Sequence, residues 1–103
     1  MDDETIQRFL VAPVPPGGTP AWAEWQSACD ALGDGVAPTL IDALRTGSVP
    51  VQYSALVCLR RHGYEAWGEG YWAELTYRVR RAGESDWQRI QPQIIDHTSV
   101  PPR

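Results

Sequence analysis

The stretch GYEAWGEGYWAELTYRVRRAGESDWQRI, residues 63–90, decides the fold. Before Gly63 the apolar residues recur at helical spacing, and after it they alternate with polar ones, the period of a half-buried strand. The alternation predicts a short strand at Tyr64–Trp67, a turn at Gly68-Glu69-Gly70 and a long strand at Tyr71–Arg81. Residues 82–86 (AGESD) turn the chain, a third strand spans Trp87–Gln91, and Pro92 ends it. On the long strand Tyr71, Ala73, Leu75, Tyr77 and Val79 share one face, and Trp72, Glu74, Thr76, Arg78 and Arg80 the other. Two registers stay open, with Tyr77 or Val79 opposite Ile90; both place Ile90 inward and Trp87 and Arg89 outward.

Working back from Gly63, three helices are marked by their ends. Thr19-Pro20 is a hydroxyl N-cap followed by proline at the first helical position, opening a helix over 20–32 that Gly33 stops. Its stripe is Trp22, Trp25, Cys29 and Leu32. A second helix runs over 36–46 with Val36, Leu40, Ile41 and Leu44 inward, and Gly47 ends it. Ser48 caps a third over 49–62, where Val51, Tyr53, Ala55, Leu56, Val57, Cys58 and Leu59 make it apolar on most sides. Such a helix belongs at the centre of a fold. Residues 1–10 hold a short helix with acids in its first turn. The Pro/Gly-rich segment 11–19 is a linker that leaves this helix loosely attached. Residues 96–103 form a tail after Ile94 and Ile95.

The fold class expected is therefore α+β: one domain over 1–103, with a helical part at 20–63 and a β-meander at 64–95. Three N-terminal helices cover one face of a two- or three-stranded antiparallel sheet. At 103 residues the chain can bury roughly two-thirds of its unfolded surface, enough for a core without staples.

Composition narrows the function classes. Nine arginines and no lysine stand against thirteen acids, for a net charge of −4. Residues 1–59 carry −5 and residues 60–103 carry +1, unlike the dominant basic field of a general nucleic-acid binder. No run approaches the length of a membrane span, so no membrane partner is expected. The acidic start Met1-Asp2-Asp3-Glu4 is unlike a secretory signal, which points to the cytoplasm. Cys29 and Cys58 match no zinc spacing, and in a reducing compartment they are expected as buried free thiols. His62 sits at a helix C-terminus and His97 in the tail, each without a second metal ligand nearby, so no metal or other cofactor is expected.

Two resemblances bear on function. Residues 36–63, VAPTLIDALRTGSVPVQYSALVCLRRHG, resemble a single HEAT-like helical repeat. Pro38, Leu40, Ile41 and Leu44 match its first helix and Val51, Ala55, Leu59 and Gly63 its second, with Gln52 where the family usually has Arg or Lys. This likeness covers about a quarter of the chain and implies a protein-binding scaffold; one repeat cannot make a solenoid. Leu-Arg-Arg-His-Gly-Tyr (59–64), followed by strands bearing Glu65, Glu69 and Glu74, looks like the layout of the PD-(D/E)xK nuclease core. That family needs carboxylates on a divalent metal and commonly a lysine. Thr76 stands where the cation would be, so the expectation is no enzyme, at most a catalytically degenerate nuclease-like domain.

The outer sheet face carries the functional expectation. Trp, Tyr and Arg dominate binding hot spots, and an arginine over a tryptophan contributes about 0.5–2 kcal/mol. Trp72, Arg78, Arg80, Trp87 and Arg89, with Trp67, are the expected partner-binding residues. The bland alternative is that the arginines simply cover the tryptophans. The leading expectation is a small protein-binding module that blocks a partner enzyme, as immunity proteins and phage-encoded inhibitors do. The alternative is an RNA or single-stranded DNA binder using the same face. A homodimer through the exposed hairpin edge is a further partner class.

Overall fold

The computed structural model describes residues 3–70 and 75–93, apart from the side chains of Asp3 and Asp34. Among these residues the architecture is α+β, with four helices followed by a three-stranded antiparallel sheet. The helices are α1 (Asp3–Val11), α2 (Pro20–Ala31), α3 (Ala37–Thr46) and α4 (Val49–Arg61). The strands are β1 (Tyr64–Glu69), β2 (Thr76–Arg81) and β3 (Gln88–Ile90), in the order β1-β2-β3. A 3-10 turn at Asp34–Val36 precedes α3 and takes up Val36, which the sequence reading places at the start of that helix. None of these helices is long and apolar enough to cross a membrane.

The expected count of three helices is one short, because α1 is a packed element. Ile6 and Leu10 are buried, and Phe9 lies 5.2 Å from the Trp25 ring, centroid to centroid. Burial of two aliphatic side chains at about 1.5–3 kcal/mol each outweighs the freedom that the linker allows. The sequence shows an apolar stripe on α1 but cannot show what receives it. Here α4 does.

Helix α4 is central, packing against α1, α2, α3 and β1. Its buried set differs from simple hydrophobicity. Tyr53, expected among the apolar residues, is 56% exposed, whereas Gln52 and Ser54 are buried. Both of these polar side chains are paired. Gln52 Nε2 donates to the Gly47 carbonyl at 2.9 Å, Ser54 Oγ to the Pro50 carbonyl at 3.1 Å, and Tyr77 Oη to Gln52 Oε1 at 2.8 Å. Those bonds are what let polar groups sit inside. The phenol of Tyr77 is pushed above its ordinary value of 10.0 by burial.

The caps follow the sequence in part. The Trp22 backbone N–H donates to Thr19 Oγ1 at 3.1 Å, as the Thr-Pro pair predicts. Ser48 stands at the N-cap of α4, but its side chain makes no capping bond; its carbonyl accepts from Gln52 N at 2.8 Å instead. Gly47 has an ordinary φ of −78°. Glycine is required there by space, since a Cβ would lie 2.6 Å from both the Ala43 carbonyl oxygen and Val51 Cγ1.

In the sheet, β1 runs two residues past its expected end. Gly68 pairs with Tyr77 and Glu69 with Thr76, so the turn begins at Gly70, whose φ of +81° suits glycine. Of the two registers, Tyr77 opposite Ile90 is the one formed. Ala66, Tyr77, Val79 and Ile90 are buried, as the alternation requires. β3 is shorter than expected, and Trp87 precedes it. Four residues of the expected long strand, 71–74, lie outside the described residues, as do Ile94, Ile95 and the tail.

Cys29 of α2 and Cys58 of α4 are joined in a disulfide, with Cα atoms 6.0 Å apart. The expectation of free thiols is corrected on this point. Spacing along the chain carries no information on how two helices cross, and the crossing brings both buried sulfurs together.

Candidate interaction surface

The outer face of the sheet is assembled by strand alternation and register. Glu65, Trp67 and Glu69 come from β1, Arg78 and Arg80 from β2, and Arg89 from β3. Cross-strand neighbours are Glu65 with Arg80, Trp67 with Arg78, and Arg78 with Arg89. Trp87, just before β3, is half-buried because two guanidiniums cover its ring: Arg78 Cζ is 4.5 Å from the centroid and Arg80 Cζ 4.3 Å. Each of those arginines is also paired with an acid of β1. Arg78 Nη1 donates to Glu69 Oε1 at 2.5 Å, and Arg80 Nε donates to Glu65 Oε2.

Ion pairs this exposed contribute little alone, about 0.2–1 kcal/mol each. Combined with the ring contacts, they hold both side chains in one place. The expected cluster therefore exists in part, as Arg78–Trp87–Arg80 tied to Glu65 and Glu69. Trp87 is its covered centre instead of an open anchor.

Among the described residues expected on this face, Trp67 and Arg89 remain open. Trp67 is 52% exposed, with Arg60 Cζ 4.8 Å from its ring on one side. Arg60 is aimed there by α4 and by its own Nε, which donates to the Ala66 carbonyl at 2.8 Å. Arg89 is exposed and has no hydrogen bond or ion pair among the described residues. Trp72 lies outside the described residues, so its place on this face is not among the observations. Arg60 was missed in reading the sequence. The signal available was its position in the last turn of a helix that leads directly into the strand bearing Trp67.

The face has a mixed field. The carboxylates of Glu65 and Glu69, which the nuclease-like layout would aim at a metal, are each engaged by an arginine. Glu74 lies outside the described residues.

A second cluster lies where the C-terminal ends of α2 and α4 meet. Arg61 Nε and Nη2 grip Asp30 Oδ1 and Oδ2 at 2.9 and 2.8 Å, a two-point pairing of fork to carboxylate. The hydrogen bonds from Arg61 hold the Asp30 carboxyl below its ordinary 3.8. His62 Nε2 lies 2.8 Å from the Cys29 carbonyl oxygen. Contrary to the expectation that it has no metal ligands nearby, a ring nitrogen and the sulfurs of Cys29 and Cys58 lie within 4.8 Å of one another. The sequence signal was the i, i+4 spacing of Cys58 and His62; the third member comes from 29 residues before Cys58. His97 lies outside the described residues.

No family model, no curated protein and no solved structure matches the chain.

Proposed function

We propose that this protein works by binding another protein through the outer sheet face, with Trp67 as the open anchor and Arg89, on the far side of Arg78, as a cation without an ion pair among the described residues. The observation that carries the reading is the pre-ordered stack of Arg78, Trp87 and Arg80, pinned to Glu65 and Glu69 next to a half-exposed tryptophan. Side chains already held in one geometry lose little entropy when a partner docks, which raises affinity. The paired acids leave the face without the field that phosphate chains require, which favours a protein over RNA or single-stranded DNA. Steric blocking of a partner enzyme, in the manner of an immunity protein or phage-encoded inhibitor, is the mode we propose over catalysis. The α3–α4 hairpin supports the HEAT-like reading as a proposal of the same kind, with Gln52 turned inward onto Tyr77.

Side-by-side affinity capture with the wild type and a Trp67→Ala/Arg89→Glu variant of unchanged circular dichroism tests this. Any species lost with the variant is then reconstituted with purified protein. A partner that binds the wild type at least about tenfold more tightly, about 1.4 kcal/mol, supports the reading. Identical capture by both proteins refutes it. Oligonucleotide binding that falls steeply with salt would assign the face to nucleic acid instead.

A further inference from the structure

We infer that the chain carries a redox-gated site for a thiophilic divalent cation of the zinc class, made by Cys29, Cys58 and His62. Two observations point to it independently of the sheet face. The three side chains converge from two helices, their ligand atoms within 4.8 Å of one another, and both cysteines are fully buried. Zinc held at about 2.3 Å from sulfur and 2.0–2.1 Å from nitrogen places tetrahedral ligands roughly 3.3–3.8 Å apart, inside that limit.

The second observation is the bond at His62. The Cys29 carbonyl oxygen only accepts, so Nε2, 2.8 Å away, must carry the proton. In the neutral ring Nδ1 is then left with a bare lone pair. Donation from the other ring nitrogen to a backbone carbonyl is how metal-bound imidazoles are commonly oriented. Cys58 on the last turn of α4 and His62 at its C-cap stand four residues apart, which brings two donors to that end of the helix, and Cys29 of α2 completes the set.

As a disulfide the pair offers no thiolate and the site is closed. A thiol reductant supplying two electrons and two protons opens the bond to two thiols. Binding of the cation then expels both thiol protons, leaving two thiolates, one imidazole and a fourth position for water. Under reducing conditions the open form is favoured. The site thus links the α2–α4 junction to both redox state and metal supply. Half-buried His62 is its least enclosed member.

The test uses the full chain in both redox states, with Co2+ alone as probe and Zn2+ as competitor. Reduced protein is expected to bind one Co2+ per chain with a thiolate-to-cobalt charge-transfer band, which Zn2+ abolishes. Oxidised protein, which needs no substitution and keeps its fold, is expected to give no band. Cys58→Ser should lose about half of the charge-transfer intensity. His62→Ala should weaken binding at least about tenfold, since loss of even an outer partner of a ligand costs that much. No band in the reduced wild type, the same band in the oxidised protein, or unchanged affinity in His62→Ala overturns the inference.

Discussion

Replacing Tyr77 by phenylalanine removes one oxygen from a contact that joins the sheet to the central helix. Tyr77 is 8% exposed, and its hydroxyl donates at 2.8 Å to Oε1 of Gln52, itself 1% exposed. The ring packing survives the change. What goes is one net hydrogen bond, about 0.5–1.5 kcal/mol, together with the cost of a buried carbonyl that loses this donor; the sum is about 1–3 kcal/mol. Gln52→Met retains the volume but leaves the tyrosine hydroxyl buried without its acceptor and takes the Nε2 donor from the Gly47 carbonyl, a loss of similar size. The double variant presents two apolar groups to each other, so its cost should fall short of the summed singles by about 1–2 kcal/mol. Urea titrations followed by tryptophan fluorescence read this directly. With a slope of about 2 kcal/mol/M, a 2 kcal/mol loss moves the midpoint by about 1 M. The pH profile supplies a second reading of the same contact. Burial raises the Tyr77 pKa above 10.0, so the unfolded chain ionises first. The stability tied to the neutral phenol is whole below pH 10 and is lost as pH rises through the folded-state value. Tyr77→Phe should lack that part of the alkaline decline. Additive single variants, within about 0.5 kcal/mol, would refute the reasoning.

Other outcomes follow from the same geometry. Asp30 should titrate below 3.8 by carboxyl carbon NMR, returning to about that value in Arg61→Ala; its contribution to stability is present above 3.8 and lost as pH falls through the lowered value. Gly47→Ala should cost about 1–3 kcal/mol in urea, because a Cβ meets the Ala43 carbonyl and Val51 at 2.6 Å; a loss under about 0.5 kcal/mol would show that α3 and α4 part easily. Gly33→Ala meets open space at φ +80° and ψ 170°, a region essentially kept for glycine, and should cost about 1–3 kcal/mol from backbone strain alone. Reducing the Cys29–Cys58 disulfide, with chelator present, should lower stability by about 3.5 kcal/mol from the freed loop of 29 residues; an unchanged urea midpoint would mean that the pair is not closed in solution.

Much of the architecture was legible locally. Alternation after Gly63 assigned Tyr77, Val79 and Ile90 to the core and Arg78, Arg80 and Arg89 to the outer face, because side-chain direction in a strand reverses at every residue. The Thr19-Pro20 start of α2 and the centrality of α4 were equally readable, since capping and all-round apolarity are properties of a few consecutive residues. What escaped were the particular contacts between elements. The anchoring of α1, the choice of register, and Trp87 closed between two arginines while Trp67 stays open all depend on which surfaces meet. So does the burial of Gln52 in place of Tyr53, which a pattern of hydrophobicity reads the wrong way round.

By itself, then, the sequence determined the type and approximate limits of most elements, the face each strand residue takes and the poverty of lysine chemistry. These follow from backbone stereochemistry and side-chain type, which act over a few residues. Only the tertiary structure decided that Cys29, Cys58 and His62 share one point, and that Arg78 and Arg80 are spent on Trp87, Glu65 and Glu69. Those outcomes depend on helix crossing and strand register, and both are settled by the packing of the whole core.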